Sequence, residues 1–245
     1  MAFGVCTTAF AGDGGTNVVV TISDKGDLVV VNQTVSVKDV DKDGSVTIND
    51  ALYCAHEEFY NGGAEKGYKY TVTTGEYAGI SMVMLWGDEN KGSLGYYLND
   101  AMAWSLADPV KDGDYVYAFS YKDAPGFSDN YAFFDKKSAD VDSFGELELV
   151  LSKVGFDASW NTVTLPVEGA EILIDGKGTG VVTDKDGKAT VTVTKVGNCV
   201  VSAASPDGSI ITPPACSANA KFNLVNIITY YFNYIVNFIK GLFAN

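Results

Sequence analysis

The chain has 245 residues, enough for one large or two ordinary domains with real cores. Its formal net charge is −14, and all 17 of its basic residues are lysine. Nucleic-acid binding rests on a basic stripe and on bidentate arginine contacts, so that class is all but excluded.

In chain order, residues 1–15 come first. Ala9-Phe10-Ala11 fits a small-x-small cleavage site, and Gly12-Asp13-Gly14-Gly15 suits a soft mature start. The basic n-region and most of the apolar core are missing, so the stretch reads as the remnant of a secretory signal, with an ordinary first strand as the alternative. An acidic composition rich in Gly, Thr, Val and Tyr agrees with a β-rich extracellular protein. Residues 17–23 and 28–31 are β-branched runs around the turn at 24–27, which predicts a hairpin.

Residues 39–50 hold the most informative pattern. Asp39, Asp41 and Asp43 fall at loop positions one, three and five, and Gly44 at six permits a sharp turn. Ser45 at seven offers its backbone carbonyl, Thr47 at nine a bridging water, and Asp50 at twelve a carboxylate. Calcium takes six to eight hard oxygen ligands from such a wrapping loop, so Ca²⁺ is the expected cofactor; an acidic surface turn is the bland alternative. Asp in place of Glu at position twelve shortens the reach and weakens binding. The metal is expected to be structural, fixing the helix that follows over 48–60, where Leu52, Ala55 and Phe59 share one face.

This loop with a terminal Asp resembles the dockerin half-repeat of clostridial secreted proteins. True dockerins carry two such segments and one is visible here, so a cohesin partner is not expected.

Further strands are predicted over 68–73 and 92–98, with a short strand or helix over 80–87 and a continuing strand over 101–107. Strict alternation marks 115–121, and a last strand over 146–152 is expected to close the first domain. The run Leu85-Trp86-Gly87, then Gly95-Tyr96-Tyr97-Leu98-Asn99-Asp100, then Trp104 and 110–117, resembles the transcobalamin C-terminal-like domain of bacterial surface proteins. That resemblance implies a soluble-ligand-binding β-grasp over 16–155, with cobalamin-like ligands as its distant association. The residues add a reading of their own. Trp86, Tyr96, Tyr97 and Trp104, beside Asn99, would suit a small-molecule or glycan ligand, though strand alternation sends about half of such aromatics into the core.

From 156 to 220 the composition shifts to Val, Thr and Gly with Asp-Gly turns. The pattern of 169–172, 183–191 and 201–203 resembles bacterial immunoglobulin-like modules. The Asp-Lys-Asp-Gly stretch at 184–187 reads as a hairpin turn. Cys199 and Cys216 flank a turn in this region, and an oxidising compartment would allow them to pair as a disulfide. Residues 221–245 form an apolar helix with one narrow polar face, Asn223, Asn226, Tyr230, Asn233, Asn237 and Lys240. Four asparagines make a membrane span costly; lying in a membrane surface, self-association, and docking on its own protein are the readings left.

The expected fold is therefore mainly β. It comprises an α+β, calcium-loop-bearing β-grasp-like domain, an immunoglobulin-like β-sandwich and a C-terminal amphipathic helix. His56 is the single histidine, and no nucleophile elbow or phosphate loop is present, so the chain is not expected to be an enzyme. Two functions compete: a secreted or cell-surface calcium-binding protein with a small ligand, and a structural or adhesive surface component that assembles or attaches through its tail.

Overall fold

The computed structural model describes residues 15–74 and 79–242. Residues 1–14 of the expected signal remnant lie outside them. The chain opens with β1 (Thr16–Asp24) and β2 (Asp27–Val37), then α1 (Ile48–Phe59) and the single turn α2 (Gly63–Gly67). A separate hairpin follows, β3 (Lys69–Thr73) with β4 (Gly79–Met84). Next come β5 (Leu94–Leu98), the short β6 (Ala101–Met102) and β7 (Tyr115–Ser120). The first sheet runs β2-β1-β7-β5-β6, with β1 and β7 parallel at its centre and their neighbours antiparallel. A hairpin, a crossover helix and a returning central strand make this a β-grasp-like α+β unit.

Alternation decides which side chains meet α1. Val18, Val20 and Ile22 of β1 and Val116 and Ala118 of β7 share one sheet face with Ala51, Leu52 and Ala55 of the helix, all fully buried. The opposite face of β7 presents Tyr115, Tyr117 and Phe119, which are buried as well, against Tyr131. A second layer therefore covers the first sheet.

That layer is a two-sheet sandwich. It is built from β8 (Ala132–Phe134), β9 (Ser138–Asp142), β10 (Glu146–Phe156), β11 (Thr162–Pro166), β12 (Glu171–Ile174), β13 (Lys177–Val182), β14 (Lys188–Thr192), β15 (Gly197–Ala203) and β16 (Cys216–Lys221). One sheet runs β11-β10-β14 with β8 also on β10, and the other runs β13-β12-β15-β16-β9. Phe134, Leu147, Leu149 and Leu151 pack against Ile172, Val201 and Ala218 across the gap, giving the immunoglobulin-like core its apolar filling.

The structure corrects several expectations. The strand over 146–152 does not close the first domain: β10 pairs with β8, β11 and β14, and β9 pairs with β16, so the change of unit falls between Ser120 and Ala132 rather than at 156. The strand over 101–107 shrinks to two residues, after which the backbone of Trp104 is held by the Asp108 carboxylate. The turn at 184–187 joins strands of different sheets, so it is not a hairpin turn. Cys199 and Cys216 do not pair. Cys199 lies opposite Ala218 and Cys216 opposite Val201, so the two residues are diagonal neighbours on one face, with Cα atoms roughly 7–8 Å apart, beyond the usual disulfide span. Burial pushes the Cys216 thiol up to about 12.

The final helix α3 (Leu224–Leu242) leaves the sandwich from β16. Asn223 caps it. Its side chain accepts from the Asn226 amide at 3.1 Å and donates to Asp142 at 2.9 Å, while its own amide donates to Ser143 Oγ at 3.0 Å.

Candidate metal centre

The acidic loop spans the gap between β2 and α1, and both its ends are fixed. Thr47 caps α1 in a reciprocal box with Asp50, whose Oδ2 accepts the Thr47 amide at 2.9 Å and the Thr47 hydroxyl at 2.8 Å. Asp50 Oδ1 reaches back to accept the Val40 amide at 2.9 Å, so one buried carboxylate ties the loop's first turn to the helix. The far end is clamped by the 106–110 segment, through Val110 N to Val46 O at 2.9 Å and Asn49 N to Leu106 O at 2.9 Å.

Between these anchors the chain folds back on itself. Asp39 accepts from the amides of Asp43 (3.2 Å) and Gly44 (3.0 Å), and Asp43 accepts from Ser45 N at 2.8 Å. Gly44 takes a φ of +94°, which a side chain would strain, with open space where a Cβ would point. As a result, carboxylate oxygens of Asp39, Asp41 and Asp43 all lie within 4.8 Å of one another. Burial raises the Asp41 pKa first, and the neighbouring charges of Asp50, Asp43 and Asp39 raise it further. A cation between the carboxylates would relieve that repulsion.

The sequence pattern is thus brought together in part. Asp39, Asp41 and Asp43 form one cluster. Asp50 stands outside it with both oxygens engaged by chain donors, although each carboxylate oxygen keeps a second lone pair. Thr47 is buried and its hydroxyl serves the cap. Ser45 is held through its amide.

The aromatic set does not converge. Tyr96 packs on the α1 side of the first sheet, whereas Tyr97 stacks on Tyr131 at 3.8 Å on the other. Asn99 is spent on its own turn, donating to Asp114 at 2.9 Å and accepting the Tyr115 amide at 2.8 Å. Trp86 sits edge-on to Tyr60 at 5.0 Å, and Trp104 is 96% exposed. What the sequence reading missed is a shallow groove between α1, α2 and the β3–β4 hairpin, lined by Tyr53, Ala64, Tyr68, Tyr70 and Val83. Alternation at 68 and 70 hinted at those two rings, but the groove's far wall comes from a helix.

Comparison with known proteins adds little. No protein family matches the sequence and no curated protein does, so the dockerin-like and transcobalamin-like resemblances stand without support. One solved structure, the N-terminal four immunoglobulin domains of Dscam1 isoform 9.44, aligns over 89% of this chain at 14% identity with a TM-score of 0.22. The chain spans 45% of the length of that one. So slight a likeness carries no argument about function.

Proposed function

We propose that the protein is a secreted or cell-surface, non-catalytic structural module whose β-grasp-like unit binds calcium at Asp39, Asp41 and Asp43. The observation that carries this reading is the convergence of three carboxylates on a loop whose ends are locked by a helix cap and the neighbouring 106–110 segment. Calcium favours such hard oxygen donors, and backbone carbonyls of the same loop complete such sets. His56, the single histidine, is buried and both its ring nitrogens are occupied, which supports a role outside catalysis. A small-molecule or glycan ligand draws no support from Trp86, Tyr96, Tyr97, Asn99 and Trp104, because Tyr97 lies on the opposite face from Trp86 and Tyr96 and Asn99 is engaged in its own turn.

The test is thermal unfolding with calcium and with chelator. A metal that binds only the folded state adds about 2.7 kcal/mol at a hundredfold excess over Kd. Asp43→Ala should lose most of that gain while keeping the metal-free melting temperature, because Asp43 is exposed and its carboxylate accepts only the nearby Ser45 amide. A calcium response equal in the variant and the parent would overturn the assignment.

A further inference from the structure

The helix α3 is 19 residues long and meets the body through its N-terminal half, where Tyr230 and Tyr231 lie 5.1 and 5.7 Å from Phe144. Beyond that it presents large apolar side chains to solvent, among them Phe232 at 63% exposure and Tyr234 at 66%. Soluble chains do not leave such a surface open without an occupant. The question is which occupant the pattern specifies.

Spacing answers it. Leu224, Ile228, Tyr231, Ile235, Phe238 and Leu242 recur at alternating steps of four and three, which is the seven-residue repeat of a supercoiled helix seam. In that register the seam's flanks are apolar too: Val225, Phe232 and Ile239 on one side, Ile227 and Tyr234 on the other. The outermost position of each repeat holds Asn226, Asn233 and Lys240, and Lys240 is the only charge on the helix. A two-helix coil leaves its flanks wet and places paired charges there. Here the apolar arc covers about 200°, far wider than a pairwise seam of about 100° needs. As helices are added to a ring, each one's contacts with its two neighbours spread further apart around its surface. A wide arc therefore calls for more than one partner helix.

Area and charge agree. The exposed apolar side chains of one α3 offer on the order of 1,000 Å², against about 800 Å² per partner in a stable interface. A lipid surface fits less well. Helices that lie in a membrane interface carry Lys and Arg along the polar face, and a chain of net charge −14 is repelled by anionic headgroups. Among the described residues no helix is long and apolar enough to cross a membrane.

We propose that α3 is a self-assembly element that joins three or more copies of this chain through a helical bundle. The proposal does not depend on the metal loop. The copies repel through their acidic bodies, so salt strengthens the assembly by screening that repulsion while the apolar contacts persist.

The experiment is sedimentation equilibrium of the full chain without detergent, at low and high sodium chloride, with chelator present. The expected result is one discrete species of three or more copies that tightens with salt. Ile228→Lys with Ile235→Lys should return it to monomer, and Phe232→Lys with Ile239→Lys on the flank should lower the copy number. Asn233→Lys on the polar face should leave it unchanged. Circular dichroism melts of the body should stay the same in all three, since none of these side chains enters a core. A monomeric parent, open-ended aggregation, a dimer indifferent to the flank substitutions, or equal loss with Asn233→Lys would each overturn the proposal. So would a parent that is monomeric in solution and floats with vesicles of zwitterionic lipid.

Discussion

At the scale of single residues, His56 shows how an ordinary titratable group becomes a stability determinant. Its Nδ1–H donates to the Leu52 carbonyl at 2.7 Å and its Nε2 accepts the Trp86 amide at 3.1 Å, which fixes one neutral tautomer. Tyr68 stacks on the ring at 5.1 Å. Burial lowers its pKa from 6.5 to about 4, only partly offset by the bond to Leu52. The unfolded chain therefore takes up this proton before the folded one does. Stability from His56 is complete above pH 6.5 and drains away as pH falls towards 4, a loss of roughly 3 kcal/mol. Carboxylates such as Asp140, Asp157 and Asp184 are held below their usual range by hydrogen bonds and add a loss of their own at lower pH. Urea unfolding between pH 7 and pH 4.5 should thus be steeper for the parent than for His56→Gln. Parallel pH profiles for the two would refute the assignment.

At the scale of elements, the bulge in β2 is the informative feature. The pairing of β1 with β2 slips between Val20 and Ile22, and Asn32 there adopts a φ of +46°. Its backbone amide donates to Thr21 Oγ1 at 3.0 Å and its side chain crosses to the sandwich, donating to Lys137 O at 2.8 Å and Ser217 Oγ at 3.2 Å. Asparagine tolerates the left-handed backbone and supplies the bonds at once. Asn32→Gly keeps the first property and loses the second, whereas Asn32→Ala loses both. Alanine should therefore be the more damaging by about 1 kcal/mol, the reverse of the usual order within a strand. Chemical unfolding of the pair measures it, and an alanine variant as stable as the glycine one would show that the backbone is not strained.

What could be read from the sequence follows the reach of each signal. The β-branched runs, the alternation over 115–121 and the helix after the acidic loop are local, and they appear as β1, β2, β7 and α1. The carboxylate cluster was legible for the same reason, since its members lie within five residues. Burial of both faces of β7 was not legible, because the second face is covered by Tyr131 from a different unit. Nor was the parallel pairing of β9 with β16, which joins residues about eighty positions apart and moves the unit boundary. Strand alternation itself undid the expected aromatic site, by sending Tyr96 and Tyr97 to opposite faces. The cysteines failed by register: two residues of offset separates neighbours that spacing alone would join.

At the scale of the whole molecule, the two units share a continuous aromatic layer. Tyr131 is 2% exposed, stacks on Tyr97 at 3.8 Å and meets Tyr117 edge-on at 5.1 Å, so its ring sits between β5 and β7 of one unit and β8 of the other. Tyr117 also donates across the boundary to Pro213 O at 2.8 Å. Polar groups rim this layer. Asp100 accepts the Tyr131 hydroxyl and the Lys137 ammonium, both at 2.7 Å, and Lys137 lies 4.5 Å above the Tyr115 ring. Burial lowers the Lys137 pKa, while Asp100 pulls it back up. An interface so apolar and so tightly stacked couples the units, and calorimetry should find one transition for the intact chain. Removing the Tyr131 ring costs about 3–5 kcal/mol by analogy with other buried aromatics, since it leaves a cavity in the middle of the layer. Tyr131→Ala should then split the transition in two, the units melting separately. Tyr131→Phe, which deletes only the bond to the Asp100 carboxylate, should lower the midpoint by the equivalent of about 1.5–3 kcal/mol and keep the transition single. Two independent transitions in the parent protein would refute the coupling, and so would a single sharp transition in Tyr131→Ala.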